Sequence, residues 1–500
     1  MADGQEHETL SGLEKLRQVR LEKAAALRAS GRNPYPYRFE RTHLARAVHE
    51  EEAALSAART PVSLAGRVVA LRGHGKTAFG HLEDSSGRLQ FYARRDDLGE
   101  DAFAAFALVE VGDILGVVGP VFRTRTNELT VHVERFEVLS KALRPLPEKW
   151  HGLTDKEIRY RQRYVDLIMN PEVREVFVKR SAVVETMRQF LLARAFLEVE
   201  TPVLQPLYGG AAARPFTTHH NALDLTLYLR IANELYLKRL LVGGFDRVFE
   251  FSRDFRNEGI DRSHNPEFTM MECYAAYLDY TDFMDLVEEM MREIAREVCG
   301  SDAVEYGGHK IDFGRAWRRE TFFGAIHART GVDFRGLPEG EVLAQAQRLG
   351  VELEKDTPNS RALDEIFSAR VEPELIEPTF IYDYPKALSP LAKDHRSEEG
   401  LVERFEPFVG GFEVGNAFSE LNDPVEQRRR FQQQAALRER GDEEAHVLDE
   451  DFIRALEYGM PPAAGLGIGV DRLTMVLTDS QSIRDVVFFP QMRPEEGRGP

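Results

Sequence analysis

Apolar positions change their rhythm three times along the chain. Over residues 9 to 30, Leu10, Leu13, Leu16, Leu21 and Leu27 recur among Lys15, Arg17, Arg20, Lys23 and Arg28, which predicts a charged amphipathic helix ending near Gly31 and Pro34. Its polar face suits plain solvent or an RNA backbone equally well. From Pro61 to about Ser140 the pattern becomes short alternating runs punctuated by Gly and Asp. Leu89, Phe91 and Ala93 form one inward set, and Leu129, Val131 and Val133 another. With GDILGVVG, about five strands fit an OB-type barrel over residues 61–142, after a helical extension over 1–60. In TAFGHL the core parity belongs to Ala78, Gly80 and Leu82, so Phe79 faces outward with His81. An outward Phe is either covered by a loop or a platform on which a base stacks.

Residues 143–154, within ALRPLPEKWHGL and its continuation, carry two prolines and no helical period, and read as a linker. From Asp155 to residue 500 helices and strands alternate, with amphipathic helices near 171–195 and 281–299. Residues from about 300 to 380 keep a helical period without clustered chemistry, which predicts a helical insertion. The fold class is therefore α+β. A chain of 500 residues exceeds one ordinary core and points to two to four domains. No apolar run reaches the roughly 18 residues of a membrane span, and MADGQEHETL has no signal-peptide core, so a cytoplasmic protein with no membrane partner is expected. Cys273 and Cys299 are too few for a disulfide framework or a cysteine-rich zinc site. A net charge of -18 disfavours non-specific nucleic-acid binding but leaves room for a local basic patch.

Two motifs are decoys. GHGKT at Gly73 to Thr77 has Ala70 where a phosphate loop needs its first glycine, and a strand follows it; HEEEA at His49 has Ala53 where a zinc site needs histidine. Three other segments concentrate chemistry. RVFEFSRDFRNEGIDRSHNPEFTMMECYAAY reads as two strands joined by the polar loop Gly259 to Pro266. Glu250, Arg256 and Glu258 share one parity, Phe268, Glu272 and Tyr274 another, and a hairpin would bring both sets to one face, leaving Phe249, Phe251 and Phe255 for the opposite side. In RFEPFVGGFEVGNAFSELND, Gly410-Gly411 fits a two-residue turn pairing Val409 with Phe412 and Phe408 with Glu413. Glu406 and Glu413 then become diagonal neighbours, roughly 7 to 8 Å apart at the backbone and able to share a divalent cation. Asn416, Phe418 and Glu420 share a face one strand further on. AAGLGIGVDRLTMVL is a Gly-rich strand entering a helix, with Asp471 as an N-cap candidate and Arg472 in the first turn, where the helix dipole disfavours a cation unless an anionic or π ligand lies nearby.

Together these segments resemble the three signature motifs of class II aminoacyl-tRNA synthetases. FLEVETPVLQP resembles motif 1 at the dimer interface, FRNE with its loop and Phe268 motif 2, and GLGIGVDR motif 3. The barrel and KALRPLPEKWHGL resemble the subgroup charging lysine, aspartate and asparagine; GGAAARPF, HHNALDLTLYLRIANELYLKRL, SHNPEFTMMECY and GNAFSELND are most similar to its lysine-charging members. The resemblance implies a catalytic domain on an antiparallel sheet flanked by helices, a homodimer, and the substrates ATP, L-lysine and tRNA-Lys, with Mg²⁺. It implies that Arg256 and Arg472 serve catalysis and that ATP meets Arg256, Glu258, His264, Asn265, Phe268, Glu406, Glu413, Gly469, Asp471 and Arg472, the adenine lying between Phe268 and Arg472. Glu406 and Glu413 match the magnesium ligands. Lysine would meet Gly210 and Glu234 at its α-amino group, Arg256 and Asn416 at its carboxylate, and Glu272, Tyr274, Phe418 and Glu420 along its side chain. Phe79 and Gln90 match the pair that receives the central anticodon base. Asn233 stands where proline is common, Ala417 where glycine is usual, and Ser263 where the loop is commonly basic. The alternatives are an aspartyl or asparaginyl enzyme of the same architecture, or a non-charging paralogue that binds RNA or transfers lysine elsewhere.

Overall fold

A computed structural model describes residues 12–147, 153–354, 357–439 and 446–494, in two compact units, Met1–Gly152 and Leu153–Pro500. The amino-terminal unit opens with α1 (Gly12–Ala29); Leu10 of the predicted stripe lies outside the described residues. The helix buries Arg20, Ala24 and Leu27 while Leu13, Leu16 and Leu21 stay exposed. Of the described stripe, only Leu27 packs, on the face that also buries Arg20 and Ala24. Arg20 is held because its guanidinium donates to the carbonyls of Val111 at 3.2 Å and Ala142 at 2.9 Å, which offsets its desolvation.

The barrel comprises β1 (Val62–His74), β2 (Thr77–Glu83), β3 (Arg88–Arg94), β4 (Ile114–Gly119), β5 (Val121–Arg123), β6 (Leu129–Val133) and β7 (Arg135–Ser140). The sheet runs β5-β6-β3-β2-β1-β4-β7. Seven strands replace the expected five because Pro120, lacking an N–H, splits one strand into β4 and β5, and β7 adds an edge. β4 pairs with β1 and β5 with β6. The same stretch therefore closes the barrel, with His132 N–H on Pro120 O at 2.8 Å and Glu134 N–H on Val118 O at 2.9 Å. Leu89, Phe91, Ala93, Leu129, Val131 and Val133 are all buried, and Phe79 is 38 % exposed, as the alternation predicted. GHGKT is the β1–β2 hairpin turn.

In the second unit the helices α2 (Pro171–Leu192), α3 (Glu234–Val242) and α4 (Tyr280–Cys299) surround a nine-stranded sheet. Its strands are β8 (Leu197–Glu198), β9 (Arg247–Phe255), β10 (Glu267–Ala276), β11 (Arg318–Thr321), β12 (Thr379–Pro385), β13 (Leu401–Val409), β14 (Phe412–Glu413), β15 (Gly415–Ser419) and β16 (Ala463–Gly469), and α5 (Val470–Leu477) follows β16 directly. The order is β11-β12-β13-β15-β16-β10-β9-β8, with β14 paired to β13. Pairing is antiparallel except at the two edges, β8 with β9 and β11 with β12. One face packs Phe249, Met271, Cys273, Leu466 and Ile468 against Val183, Met187 and Phe190 of α2 and Phe283, Val287 and Met291 of α4. The opposite face carries the polar residues.

Residues 300–380 are not a purely helical insertion. Ala303–Tyr306 and His309–Asp312 form a hairpin, and β11 joins the main sheet before helices at Phe322–Thr330, Glu339–Arg348 and Asn359–Arg370. Four-residue strands are too short to register against a helical period.

Candidate active site

The β9–β10 hairpin pairs Glu250 with Glu272 and Asp254 with Phe268, so Val248, Glu250, Ser252 and Asp254 share a face with Phe268, Met270, Glu272 and Tyr274. Arg256 and Glu258 belong to the loop instead, since β9 ends at Phe255. The Arg256 guanidinium nevertheless reaches this face and lies 5.0 Å from the centre of the Phe268 ring. Glu258 is exposed in the loop.

β16 runs between β10 and β15 and presents glycine to both. Glu272 and Asn416 both pair with Gly467, and Tyr274 and Phe418 both pair with Gly465. A Cβ on Gly465 would come within 2.1 Å of Glu420 Oε1 and 2.4 Å of Tyr274 Cε1. These glycines form a floor without side chains, and the groups on either side lean over it. That is the role of the GxGxG pattern, and no helix-capping carboxylate is involved. Gly469 is the N-cap of α5, while Asp471 sits in its first turn, buried, accepting Thr269 N–H at 2.7 Å and pairing with Arg180 at 2.6 Å. Asp471 thus braces β10 against α2 and α5.

On the far side of the floor, Gly410 and Gly411 take φ of +65° and +77°, and the turn pairs Val409 with Phe412 and Phe408 with Glu413. The register then slips by one residue, because β15 pairs Phe405 with Ala417 and Arg404 with Phe418. Val414 is the extra residue, a bulge whose N–H bonds Pro407 O at 2.9 Å. It allows Glu413 and Asn416, of opposite parity, to share the face of Arg404 and Glu406. Glu406 accepts Tyr384 O–H at 2.6 Å and pairs with Arg404 at 2.5 Å. Burial pushes its carboxyl up to about 7, with Arg404 drawing it back and Glu413 adding to the rise. Two carboxylates that repel each other, Glu406 largely buried and Glu413 half-exposed, form a donor set complementary to a hard divalent cation.

Arg472, in the first turn of α5, reaches β14. It donates to the Glu413 carbonyl at 2.9 Å, pairs with its carboxylate at 3.2 Å, and meets His264 Nε2 at 3.3 Å. His264 is in turn held by Asp261 at 2.7 Å. Against the upward pull of burial, the N–H groups of Ser263 and His264 and the imidazole bring Asp261 down to about 2. Asn265 is buried, donating to Glu267 O at 2.5 Å and accepting Gln491 N–H at 3.3 Å. It pins the loop, and its amide is already engaged.

Beside the glycine floor, Gly210, Glu234, Glu272, Tyr274, Phe418 and Glu420, all expected to meet lysine, come together. A Cβ at Gly210 would touch Glu234 Cβ at 3.1 Å. Glu234 opens α3, where a carboxylate suits the helix dipole. Glu272 accepts Tyr274 O–H at 2.9 Å and the Asn233 N–H, a donor that a proline at that position would lack. The Asn233 side chain donates to Glu250 at 3.1 Å. Burial raises Glu234, Glu272 and Glu420, the last to about 8. Below them Arg230 pairs with Glu250 at 2.6 Å and Asp254 at 3.3 Å, and burial pushes Asp254 up to about 6.

Sequence reasoning missed Arg404, Tyr384, Arg230, Asp254 and Lys238. Arg404 shares the parity of Glu406 and Asp254 that of Glu250, so two of these were readable; Lys238, one turn after Glu234, looked like an ordinary helix cation. In the barrel, Phe79 lies 4.5 Å from Tyr92, which is 6.2 Å from Phe122 and 5.7 Å from His132. Gln90 donates to Glu128 at 2.6 Å and accepts Thr130 O–H at 2.7 Å. The aromatic face is wider than Phe79 alone.

The family described as tRNA synthetases class II (D, K and N) matches residues 155–493, and the OB-fold nucleic acid binding domain matches residues 62–139. Among curated relatives, the lysine–tRNA ligase of Carboxydothermus hydrogenoformans is 55 % identical over 492 residues, covering 98 % of this chain and 100 % of that protein. The lysine–tRNA ligases of Pelotomaculum thermopropionicum (54 %, covering 97 % of this chain and 96 % of that protein) and Moorella thermoacetica (55 %, 96 % and 98 %) are similar over nearly their whole length.

Proposed function

The chain belongs to the class II tRNA synthetases of the aspartate, lysine and asparagine group, and from that premise we propose that it is a ligase joining L-lysine to tRNA-Lys at the expense of ATP. The observation that carries the choice of amino acid is the cluster of buried carboxylates Glu234, Glu272 and Glu420 around Tyr274 and Phe418. An aspartate side chain would meet like charge there, and an asparagine side chain would leave the carboxylates without a cation, whereas lysine brings an ammonium to each end of the pocket.

In the first step a lysine carboxylate oxygen bonds to the α-phosphorus of ATP as the bond to the β-phosphate bridge breaks and pyrophosphate leaves. The chain holds the reactants for in-line attack and offsets charge, with no protein nucleophile. Arg256, at the end of β9, serves the α-phosphate and the lysine carboxylate, and the Asn416 amide, oriented by Arg404 at 2.8 Å, serves that carboxylate too. Phe268 and the Arg472 guanidinium would flank the adenine, Glu258 would meet its amino group, and His264 would approach the γ-phosphate. Glu406 and Glu413 would hold Mg²⁺, which when bound supplies positive charge to the phosphates. In the second step the terminal ribose hydroxyl of the tRNA attacks the adenylate carbonyl and AMP leaves.

The barrel, with Phe79 tilted against Tyr92 and Gln90 on the neighbouring strand, suits the anticodon. A homodimer is supported by exposed apolar residues around the short edge strand β8: Leu197, Val203, Leu204 and Leu207 are each at least 40 % accessible. A cytoplasmic setting fits the two free cysteines and the lack, among the described residues, of any helix long and apolar enough to cross a membrane. ATP–pyrophosphate exchange run separately with lysine, aspartate and asparagine tests the reading. Exchange with lysine alone is expected, and exchange with aspartate or asparagine in its place would overturn it.

A further inference from the structure

The amino-acid pocket contains an ammonium of the chain's own. Lys238 follows Glu234 by one turn of α3 and its side chain is wholly buried. Nζ donates to Glu234 Oε1 at 2.5 Å, pairs with Glu420 Oε2, and stands 5.1 Å from the centre of the Phe418 ring. It therefore touches three of the side chains assigned to the substrate. Burying an ammonium is costly unless it is paired, and at this helix position an apolar side chain would have packed at no such cost.

Charge counting gives the residue a purpose. Glu234, Glu272 and Glu420 carry three negative charges when ionised. Lysine brings two ammonium groups, and its carboxylate is met elsewhere, by Arg256 and Asn416. One carboxylate is left over, and Lys238 supplies the missing charge. Resting on the lysine reading above, we propose that Lys238 is a positioning residue for amino-acid recognition, which fixes Glu234 and Glu420 and keeps one carboxylate of the pocket ionised before the substrate arrives.

The groups around it fit this role. Glu234 faces Lys238 from α3, Glu420 from the end of β15, Glu272 and Tyr274 lie on β10, Asp254 on β9, Arg404 on β13, and His446 on the segment before Asp449. Against the downward pull of burial, Glu234 and Glu420 hold Lys238 above its ordinary value. Burial, with Lys238 adding, pushes His446 down to about 4, so its imidazole stays neutral near pH 7. Arg404 keeps its charge beside Glu406. Lys238 is thus the only cation paired directly with Glu234 or Glu420 among the described residues.

Without that charge, the leftover carboxyl would keep its proton both before and after lysine binds, so Glu234 or Glu420 would meet the substrate ammonium as a neutral acid. The test compares the full-length wild type with Lys238→Met and Lys238→Gln in lysine-dependent ATP–pyrophosphate exchange from pH 6 to 8. Both variants are expected to raise the lysine KM at least about tenfold across this range, with its pH slope unchanged because the same number of carboxyls ionise on binding, and to leave kcat and the ATP KM within about twofold. Glutamine keeps donors and comparable size, so it separates charge from shape. A lysine KM in Lys238→Gln within about threefold of wild type overturns the proposal. So does the unfolding of both variants, seen as loss of thermal stabilisation by ATP, because the role would then not be confined to the pocket. Failure of the wild type to exchange with lysine would strike the lysine reading itself and is distinguishable from either result.

Discussion

Glu272→Gln isolates the charge that the pocket offers to the substrate side chain. Glutamine preserves volume and can still accept the Tyr274 O–H, so the perturbation is electrostatic. Removing one partner of a buried ion pair costs about 3 to 5 kcal/mol. Part of that is already spent in the wild type: burial, with Asp254 and Glu234 adding to it, holds the Glu272 carboxyl well above the carboxylate range, and it must ionise against them to meet the ammonium. The expected net loss is therefore about 2 to 4 kcal/mol, or about 30- to 1,000-fold in kcat/KM for lysine. ATP–pyrophosphate exchange at saturating ATP measures it, and the ATP KM should stay within about twofold because Phe268, Glu406 and Arg472 are untouched. A lysine KM and kcat/KM within about threefold of wild type would refute the assignment of Glu272 to the substrate.

Three other outcomes are expected. Phe79→Ala removes a stacking surface worth about 1 to 3 kcal/mol, so tRNA charging should fall about 5- to 150-fold while tRNA-independent exchange is unchanged; normal charging would make the barrel a structural module. Glu406 has its folded-state carboxyl raised to about 7 from an ordinary 4.5, so the unfolded chain ionises first and the fold loses stability as pH climbs from about 4.5 to about 7. Glu406→Gln should therefore narrow the difference in Tm between pH 5 and pH 7.5 and abolish the extra stabilisation that Mg²⁺ gives with ATP; an unchanged Tm difference would remove Glu406 from this role. Leu204→Asp, at an exposed apolar position, should convert a dimer to a monomer at micromolar concentration in sedimentation, and a wild type that already sediments as a monomer would refute the interface.

What was legible in the sequence was what the period of two controls. The inward sets of the barrel and the pairing across Gly410-Gly411 follow from alternation and from a turn that needs two positive φ values, and the α+β class and its family follow from the same segments. The parts that escaped depend on single residues that break the period or on contacts far apart in sequence. Pro120 divided a strand, β11 was too short to register, and Asp471 looked like a cap because it precedes the helix body, although its partners Arg180 and Thr269 come from other elements. Lys238 is the clearest case. Within ELYLKRL nothing separates it from Arg239, yet Lys238 is fully buried between two glutamates while Arg239 reaches Asp449 nearer the surface.

The bulge at Val414 puts the two halves of the cleft in a fixed phase. Upstream, the hairpin frame carries Glu406 and Glu413, proposed to serve the nucleotide; downstream, the shifted frame carries Asn416, Phe418 and Glu420, proposed to serve the amino acid. Deleting Val414, or inserting a second residue beside it, would leave one set in place and turn the other toward the helices, where a carboxylate has no partner. Indels here are therefore all-or-nothing, unlike those in a surface loop. Divergence of amino-acid specificity on this scaffold has to proceed by exchanging side chains at set positions along β15, because the spacing between the two recognition sets cannot drift by a single residue.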